Sequence, residues 1–382
     1  MVKETQMKQT EIGLIPEDWE IFKLNEISGV TRLAGYEYSK YWKEKVNGEI
    51  IGLRGFNIGK NKIIERDLVY ISDELSKKLI RSRLFINDII YPCVGTIGNA
   101  AVILENDKYH IQQNIAKITP KTQKIYPFYL SHFLMSDFGL KEIERFNGSS
   151  SQPNILVGSL RQYNICCPPL AEQEAIAAAL SDCDAWIESL EAVIAKKRLI
   201  KQGAMQELLT PKEDWVEKKL GEVLEFGSGK DYKHLQSGEI PVYGTGGVMT
   251  YVNHHLYEGD SVGIGRKGTI DKPVFLTGKF WTVDTLFFTH SFYNSHPKYI
   301  YYQFQLIQWK EYNEASGVPS LNKNTLEQIE ITIPCLSEQT HIATILSDMD
   351  AELEALEQQL HKARQIKQGM MQELLTGRVR LV

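Results

Sequence analysis

The chain has 382 residues, of which 43% are hydrophobic and 24% charged, and its formal net charge is −5. That length and balance exclude a disordered chain and leave room for two domains and a connector. The acidic sum is unlike the basic excess of a simple DNA-binding domain, although Lys, Arg, Tyr and Trp cluster locally between acidic helical stretches.

Five cysteines (Cys93, Cys166, Cys167, Cys183 and Cys335) form no CxxC pair. This argues against a disulfide framework or a structural zinc site and predicts a reducing cytoplasm. The opening MVKETQMKQTEIG has no apolar signal core, and no apolar run reaches the roughly 18 residues of a membrane span.

In chain order, residues 1–9 read as a frayed tail. The stretch IPEDWEIFKLNEI (Ile15–Ile27) returns later as PKEDWVEKKLGEV (Pro211–Val223), with Trp19 and Trp215 as core anchors. After each opener come β-type runs bounded by Gly, Asn, Asp and Pro. The first half has Glu49–Phe56, Leu84–Leu104 and His110–Pro120; the second has Glu239–Gly247, Asp260–Leu276 and Phe280–His290. A helix is predicted over Tyr126–Glu144 and another over His296–Ala315. Loops come next at Gly148–Leu160 and Ser316–Leu326, then last β runs at Tyr163–Pro169 and Ile329–Cys335.

Each half closes on a copy of one long helix, Leu170–Thr210 and Leu336–Thr376. The copies align without a gap and are identical at roughly 25 of about 41 positions. Ile176, Leu180, Cys183, Ile187, Leu190 and Ile194 step by four and three in alternation. Ile342, Leu346, Met349, Leu353, Leu356 and Leu360 step identically. That spacing is the seam of a left-handed coiled coil. Each helix packs either on its own domain or, preferably, on the other copy in an antiparallel pair. About 40 residues at 1.5 Å each span roughly 60 Å. The predicted fold class is α+β: two mixed α/β domains separated by two long antiparallel helices forming a coiled coil, in a pseudo-twofold circular arrangement. The expected divisions are 1–168, 169–210, 211–334, 335–378 and a tail at 379–382.

No catalytic constellation is legible. There is no GxxxxGK[ST] phosphate loop, no HExxH and no Asn/Asp-Pro-Pro-aromatic loop. Gly263, Gly265 and Gly268 spell GxGxxG, but the next stretch, TIDKPVFL, reads as a strand. A glycine-rich β-hairpin is therefore expected and not a dinucleotide site. No metal ligand set is predicted, and the adjacent His254 and His255 cannot share one helix face. Glu213–Lys219 looks like a domain opener rather than a nuclease cluster.

Two unlike α+β segments, each followed by a near-copy of one long helix, resemble the specificity subunit of type I restriction–modification systems. The resemblance is carried by the IPEDW opener, the paired LxEQ…LSDxDA (Leu170–Ala185, Leu336–Ala351) and the paired IKQGxMQELLT (Ile200–Thr210, Ile366–Thr376). It covers essentially the whole chain. It implies two target-recognition domains, each reading half of a split, asymmetric double-stranded DNA sequence, with the helices fixing the unread spacer. It also implies two methyltransferase subunits and added motor–nuclease subunits as partners. S-adenosylmethionine, ATP and Mg would be held by those partners, and this chain would be non-catalytic. The alternatives are a stand-alone nucleic-acid-modifying enzyme, which the missing motifs disfavour, and a coiled-coil scaffold or decoy that does not read DNA.

For such a device, candidate DNA contacts around predicted turns are Arg32, Tyr36, Tyr38, Lys40, Arg54, Lys60 and Lys62 in the first domain. In the second they are Lys230, Lys233, His234, Tyr243, Arg266, Lys267 and Lys272. Arg266 and Lys267, flanked by glycines, are the strongest, because glycine lets the backbone approach a phosphate. The loops holding Ser149–Ser151 and Asn322–Asn324 read either as donors to DNA or as simple turns.

Overall fold

The computed structural model describes residues 6–146 and 154–381. The Ser149–Ser151 loop lies outside the described residues. The chain divides into two compact units, Met1–Glu191 with Gln359–Val382, and Ala192–Gln358. The long helices Leu170–Leu208 and Leu336–Leu374 each contribute to both. The fold is α+β.

The two units are built on one plan. In the first, Glu20–Lys23 of the opener pairs antiparallel with Asn164–Cys167. In the second, Val216–Lys219 pairs with Glu330–Ile333 in the same way. The first unit has an antiparallel sheet in the order Ser28–Arg32, Ile115–Pro120, Ile89–Pro92, Ala101–Val102. The second repeats that order with Glu225–Ser228, Leu286–His290, Ser261–Gly265 and Val274–Leu276. Each also has a second sheet with one parallel pair, of three strands in the first unit and four in the second: Ile50–Leu53 with Tyr109–Ile111 and Ser237–Gly244 with Lys279–Thr282. Trp19 is fully buried and Trp215 nearly so, each at the centre of its unit's core.

Several sequence expectations need correction. Met7–Thr10 is not frayed: it pairs antiparallel with Gly13–Pro16. The helix read over Tyr126–Glu144 is two, Pro127–Leu134 and Asp137–Phe146. At Gly139 a Cβ would stand 2.1 Å from the Leu134 carbonyl oxygen, so glycine lets the second helix press on the end of the first. The helix read over His296–Ala315 stops at Leu306. A 3₁₀ turn comes after it at Trp309–Tyr312, where the buried Trp309 donates its indole N–H to the Phe304 carbonyl at 2.7 Å. The GxGxxG stretch is a β-hairpin: Ser261–Gly265 pairs with Val274–Leu276, and Gly268 turns the chain at φ +87°.

The N-terminal parts of the long helices are buried in domain cores. Ile176, Ala177 and Leu180 join the first core, and Ile342, Ala343 and Leu346 the second. Burying each large aliphatic side chain contributes about 1.5–3 kcal/mol. The other copy's C-terminal part meets the same core, through Leu374 and Leu375 in the first unit and Leu209 in the second. Further along, Leu190 and Ala363 are buried in the first unit and Ile194 and Leu353 in the second, while Cys183, Ile187, Met349, Leu356 and Leu360 are half-buried. The Cys183 thiol lies 3.3 Å from the Met370 sulfur.

The motif residues of the repeat form the joints. Gln173 is buried; its Oε1 accepts the Tyr126 N–H at 2.8 Å, and its Nε2 donates to the Pro168 and Lys124 carbonyls at 2.8 and 3.2 Å. Gln339 repeats this with the His296 N–H and the Pro334 and Asn294 carbonyls at 2.8, 2.9 and 3.3 Å. Each glutamine thus pins the start of a long helix to the turn before its domain's helix. In the first unit Asp184 pairs with Lys367 and Glu191 with Arg364; in the second Lys201 pairs with Asp350 and Lys197 with Glu352. Within each unit the two helical stretches therefore run in opposite directions. Asn61 donates to Asp184 at 3.0 Å and Tyr302 to Asp350 at 2.7 Å, tying each domain to its joint.

In the first unit the C-terminal segment docks on the opener. Arg380 meets Glu172 through Nε at 2.6 Å and Asp18 through Nη2 at 2.7 Å. The Trp19 indole also donates to Glu172, at 3.1 Å. The Arg380 guanidinium holds the Asp18 carboxyl below the usual range.

His132 sits fully buried in the first joint, 3.0 Å from Asn61 Nδ2 and 3.4 Å from Ser181 Oγ. Burial first, then the Lys367 ammonium, lowers it to about 4, against the pull of Asp184. His110 is likewise lowered to about 4, by burial and then by Arg83 and Lys117.

These joints can be tested in two ways. Gln173→Leu strands the buried Pro168 carbonyl and the part-buried Tyr126 N–H and Lys124 carbonyl, and is expected to cost about 1–3 kcal/mol in urea unfolding. The exposed Gln202→Leu on the same helix should stay within about 0.5 kcal/mol. Both histidines resist protonation when folded and accept it when unfolded, so their contribution is whole above pH 6.5 and is lost as pH falls toward 4. Wild type should lose about 2 kcal/mol more than His132→Gln between pH 7 and pH 5. Equal losses by urea titration at the two pH values would contradict a neutral, buried His132.

Candidate nucleic-acid interface

The sheet plan is shared, but what hangs from it is not. After its outer strand Ser28–Arg32 the first unit carries the short helix Gly35–Tyr41. At the same place, after Glu225–Ser228, the second carries a turn, GKDYKHLQ (Gly229–Gln236), leading into Ser237–Gly244. Both inserts carry Lys and Tyr, three Tyr and one Lys in the first and one Tyr and two Lys in the second, and a common frame with unlike inserts places different chemistry at one topological position.

In the second unit Lys230, His234, Tyr243, Arg266 and Lys267 all pack on or bond to the stretch 280–287. The Lys230 N–H donates to the Thr282 carbonyl at 2.9 Å, and the Trp281 indole donates to the Lys230 carbonyl at 2.8 Å. His234 stands edge-on to Trp281 at 5.9 Å, and Tyr243 edge-on to Phe280 at 6.4 Å. Gly229 is required here, because a Cβ would lie 2.0 Å from the Val283 carbonyl oxygen. The Arg266 N–H donates to the Thr285 carbonyl at 2.8 Å, and its guanidinium lies 5.7 Å over the Phe287 ring. The segment Thr282–Leu286 thus links Lys230 to the Arg266–Lys267 turn. The Gly268 N–H and the Arg266 carbonyl fix that turn to Pro319 and Leu321, each at 2.9 Å. Lys230, Lys233, His234, Arg266, Lys267 and Lys272 are all exposed, and Tyr243 is half-buried. Beside Lys272, Asp271 pairs with Lys310 at 2.8 Å, which lowers the Asp271 carboxyl. In the other loop, Asn322 caps Lys323–Glu327 by accepting the Asn324 N–H.

In the first unit the candidates separate into two groups. Arg32, Tyr36, Tyr38 and Lys40 lie on or beside the short helix; Arg32, Tyr36 and Lys40 are exposed and Tyr38 is half-buried. Lys60 and Lys62 line a cleft of about 1200 Å³ shared with Phe138, Lys141, Asp184 and Arg364. There the Lys62 ammonium stands 3.6 Å from Glu191 and 3.9 Å from Glu188. Arg54 is half-buried with its guanidinium 5.5 Å over Phe56. The turn equivalent to Arg266–Lys267 holds the apolar Cys93 and Val94, by the matching bridges Val94 with Asn154 and Lys267 with Ser320. Two cations that sequence reasoning missed, Lys78 and Arg81, lie near the short helix: Lys78 is 4.0 Å from the Tyr41 ring, and the Arg81 carbonyl accepts from Thr31 Oγ1 at 3.3 Å. The basic run SKKLIRSR was the available signal.

Among the described residues, no group of three or more His, Cys, Asp or Glu is placed to hold a metal ion, and no helix is long and apolar enough to cross a membrane.

A family model described as the type I restriction modification DNA specificity domain matches residues 16–197 and 212–365. A Methanocaldococcus jannaschii protein assigned as the MjaX type I restriction enzyme specificity subunit is 27% identical over 436 aligned positions, spanning 99% of this chain and 98% of the relative. The EcoBI specificity subunit of Escherichia coli is 26% identical over 192 residues, 50% of this chain and 40% of that protein. The fold is similar to the crystal structure of the type I S subunit from M. genitalium, with a TM-score of 0.69 at 17% identity over 97% of this chain and 98% of that one. Matched along most of its length by the specificity-domain model, the chain belongs to the family of type I restriction–modification DNA specificity subunits.

Proposed function

We propose that each unit reads one half of a bipartite, asymmetric double-stranded DNA target. In this reading the helices Leu170–Leu208 and Leu336–Leu374 form an antiparallel coiled coil in a pseudo-twofold circular arrangement. They set the unread spacer between recognition domains at 1–168 and 211–334. The carrying observation is the one sheet plan used twice with unlike Lys- and Tyr-bearing inserts at the same topological position. A device that reads two different things needs a constant frame and variable contacts.

Base edges are read by Arg, Lys, Asn and Gln side chains, and phosphates fix the register. Arg32, Tyr36, Tyr38, Lys40 and Arg54 serve the first half, with Lys60 and Lys62 nearer the helices. Lys230, Lys233, His234, Tyr243, Arg266, Lys267 and Lys272 serve the second. Half-sites one DNA turn apart are roughly 34 Å from each other, within the roughly 60 Å length of a 39-residue helix. The net charge of −5 limits the affinity of the isolated chain, so the methyltransferase partners supply much of the phosphate contact.

The chain acts in the cytoplasm as the non-catalytic subunit. It recruits two methyltransferase subunits and the motor–nuclease subunits, and S-adenosylmethionine, ATP and Mg²⁺ belong to those partners. The test is long-read sequencing of host DNA for methylated motifs, with wild type and with residues 1–168 exchanged for those of a relative. The expected result is a gapped two-part motif whose one half changes while the other half and the spacer stay. An ungapped motif, or an exchange that leaves both halves unchanged, would sink the reading.

A further inference from the structure

We infer that the helix Gly35–Tyr41 is the base-reading element of the first unit: Tyr36 and Lys40 face the base edges of duplex DNA, and Lys78 and Arg81 hold the adjoining phosphates. This rests on the reading of the first unit as a DNA-reading domain and assigns the contacts within it.

The helix is unusual in having no buried residue over its seven positions. So short a helix is marginal in water and must be held from outside. It is held at one end by Trp42. That indole lies 2.9 Å from where a Gly52 Cβ would stand and 5.5 Å from the His110 ring, and Tyr38 stacks on it at 5.6 Å. The two acids of the segment are occupied. Glu37 accepts the Ala34 N–H at 3.2 Å, and Glu44 accepts from the Trp42 indole at 3.2 Å and from Gln112 at 2.8 Å. Tyr36 and Lys40, four residues apart, share a face. Both are exposed, Tyr36 to 68%.

Several cations around this face make no ion pair. The Lys40 and Lys78 ammonium groups lie 5.2 and 4.0 Å from the centre of the one Tyr41 ring. Arg81 lies beside Thr31, next to Arg32. Among the described residues, the ion pairs of this neighbourhood take up Lys77 and Arg83, with Asp73 and Asp107. Arg32, Lys40, Lys78 and Arg81 are in none of them. Cations that make no ion pair within the chain are free to join a polyanion. A tyrosine hydroxyl donates and accepts, and a lysine donates to guanine O6 and N7, so the exposed face carries groups able to tell base pairs apart. The second unit carries Lys230, Tyr232 and Lys233 after the equivalent strand, in a turn instead of a helix. A reading element must differ between half-sites, and this is one of the positions at which the two units differ.

The test uses the assembled methyltransferase complex. Its methylated motif is mapped, and its binding to target and to half-site-scrambled duplexes is measured across salt. The Tyr36→Ala/Lys40→Ala variant should relax one or two base pairs of the first half-site, losing about 10–100-fold discrimination there with the second half-site intact. The Lys78→Ala/Arg81→Ala variant should weaken all duplexes alike and reduce the salt slope by about two. Both pairs are on the surface, and an unchanged second half-site reports that the protein is folded. Unchanged motif and salt slope in both variants, with a gapped wild-type motif, would overturn this assignment alone. A wild type without a gapped motif would overturn the parent reading as well.

Discussion

The structure turns on one ion pair made twice. Asp184 and Asp350 hold the same position in the repeated helix, as do Lys201 and Lys367. A parallel, in-register pair of copies would set Asp against Asp and Lys against Lys. Reversal sets each aspartate against the other copy's lysine, which is what both units contain. The side chains are mostly withdrawn from solvent, with Lys367 at 12% and Lys201 at 17% exposure. Pairs so placed contribute little net attraction, but breaking one leaves a poorly solvated charge. Their weight is in direction: the charge pattern penalises the wrong arrangement of two similar helices more than it favours the right one.

Function grows from the same economy. Each aspartate also accepts from its own domain, through Asn61 or Tyr302, and each buried glutamine fixes the helix start to the turn before the domain's helix. The frame is therefore specified by residues that repeat: Trp19 and Trp215, Gln173 and Gln339, and the two Asp–Lys pairs. The residues free to differ lie on the far side of that specification, in the inserts after the outer strands and in the turn that is Cys93–Val94 in one unit and Arg266–Lys267 in the other. Constancy of the joints lets the contacts vary without loss of fold.

Much of this was legible in the sequence. The duplicated openers, the repeated helices and the α+β character all came from pattern, because like sequence dictates like local structure. What periodicity does not carry is the identity of the partner surface. Ile176, Leu180, Ile342 and Leu346 have a helix-seam spacing, but they lie in the domain cores. The roles of Gln173 and Gln339 were hidden for a related reason: their partners Tyr126 and His296 lie 47 and 43 residues away. The break after Leu134 depends on Gly139 packing against a carbonyl, which only the folded backbone reveals. Among the candidate contacts, charge and turn propensity did not distinguish Lys62, beside Glu188 and Glu191, from Lys40, which forms no ion pair among the described residues. They also passed over Lys78 and Arg81, which come to the short helix only through tertiary structure.

The most direct measurement of the directional role of charge is a reversal cycle on the first joint: Asp184→Lys, Lys367→Asp and the two together, each studied by urea unfolding. Each single change should cost about 2 kcal/mol by facing like charges in a half-buried site. The double change should recover more than half of the summed loss. A double variant as unstable as the two single losses added together would contradict the account, because the helices would then be held without regard to the sign of the charges between them.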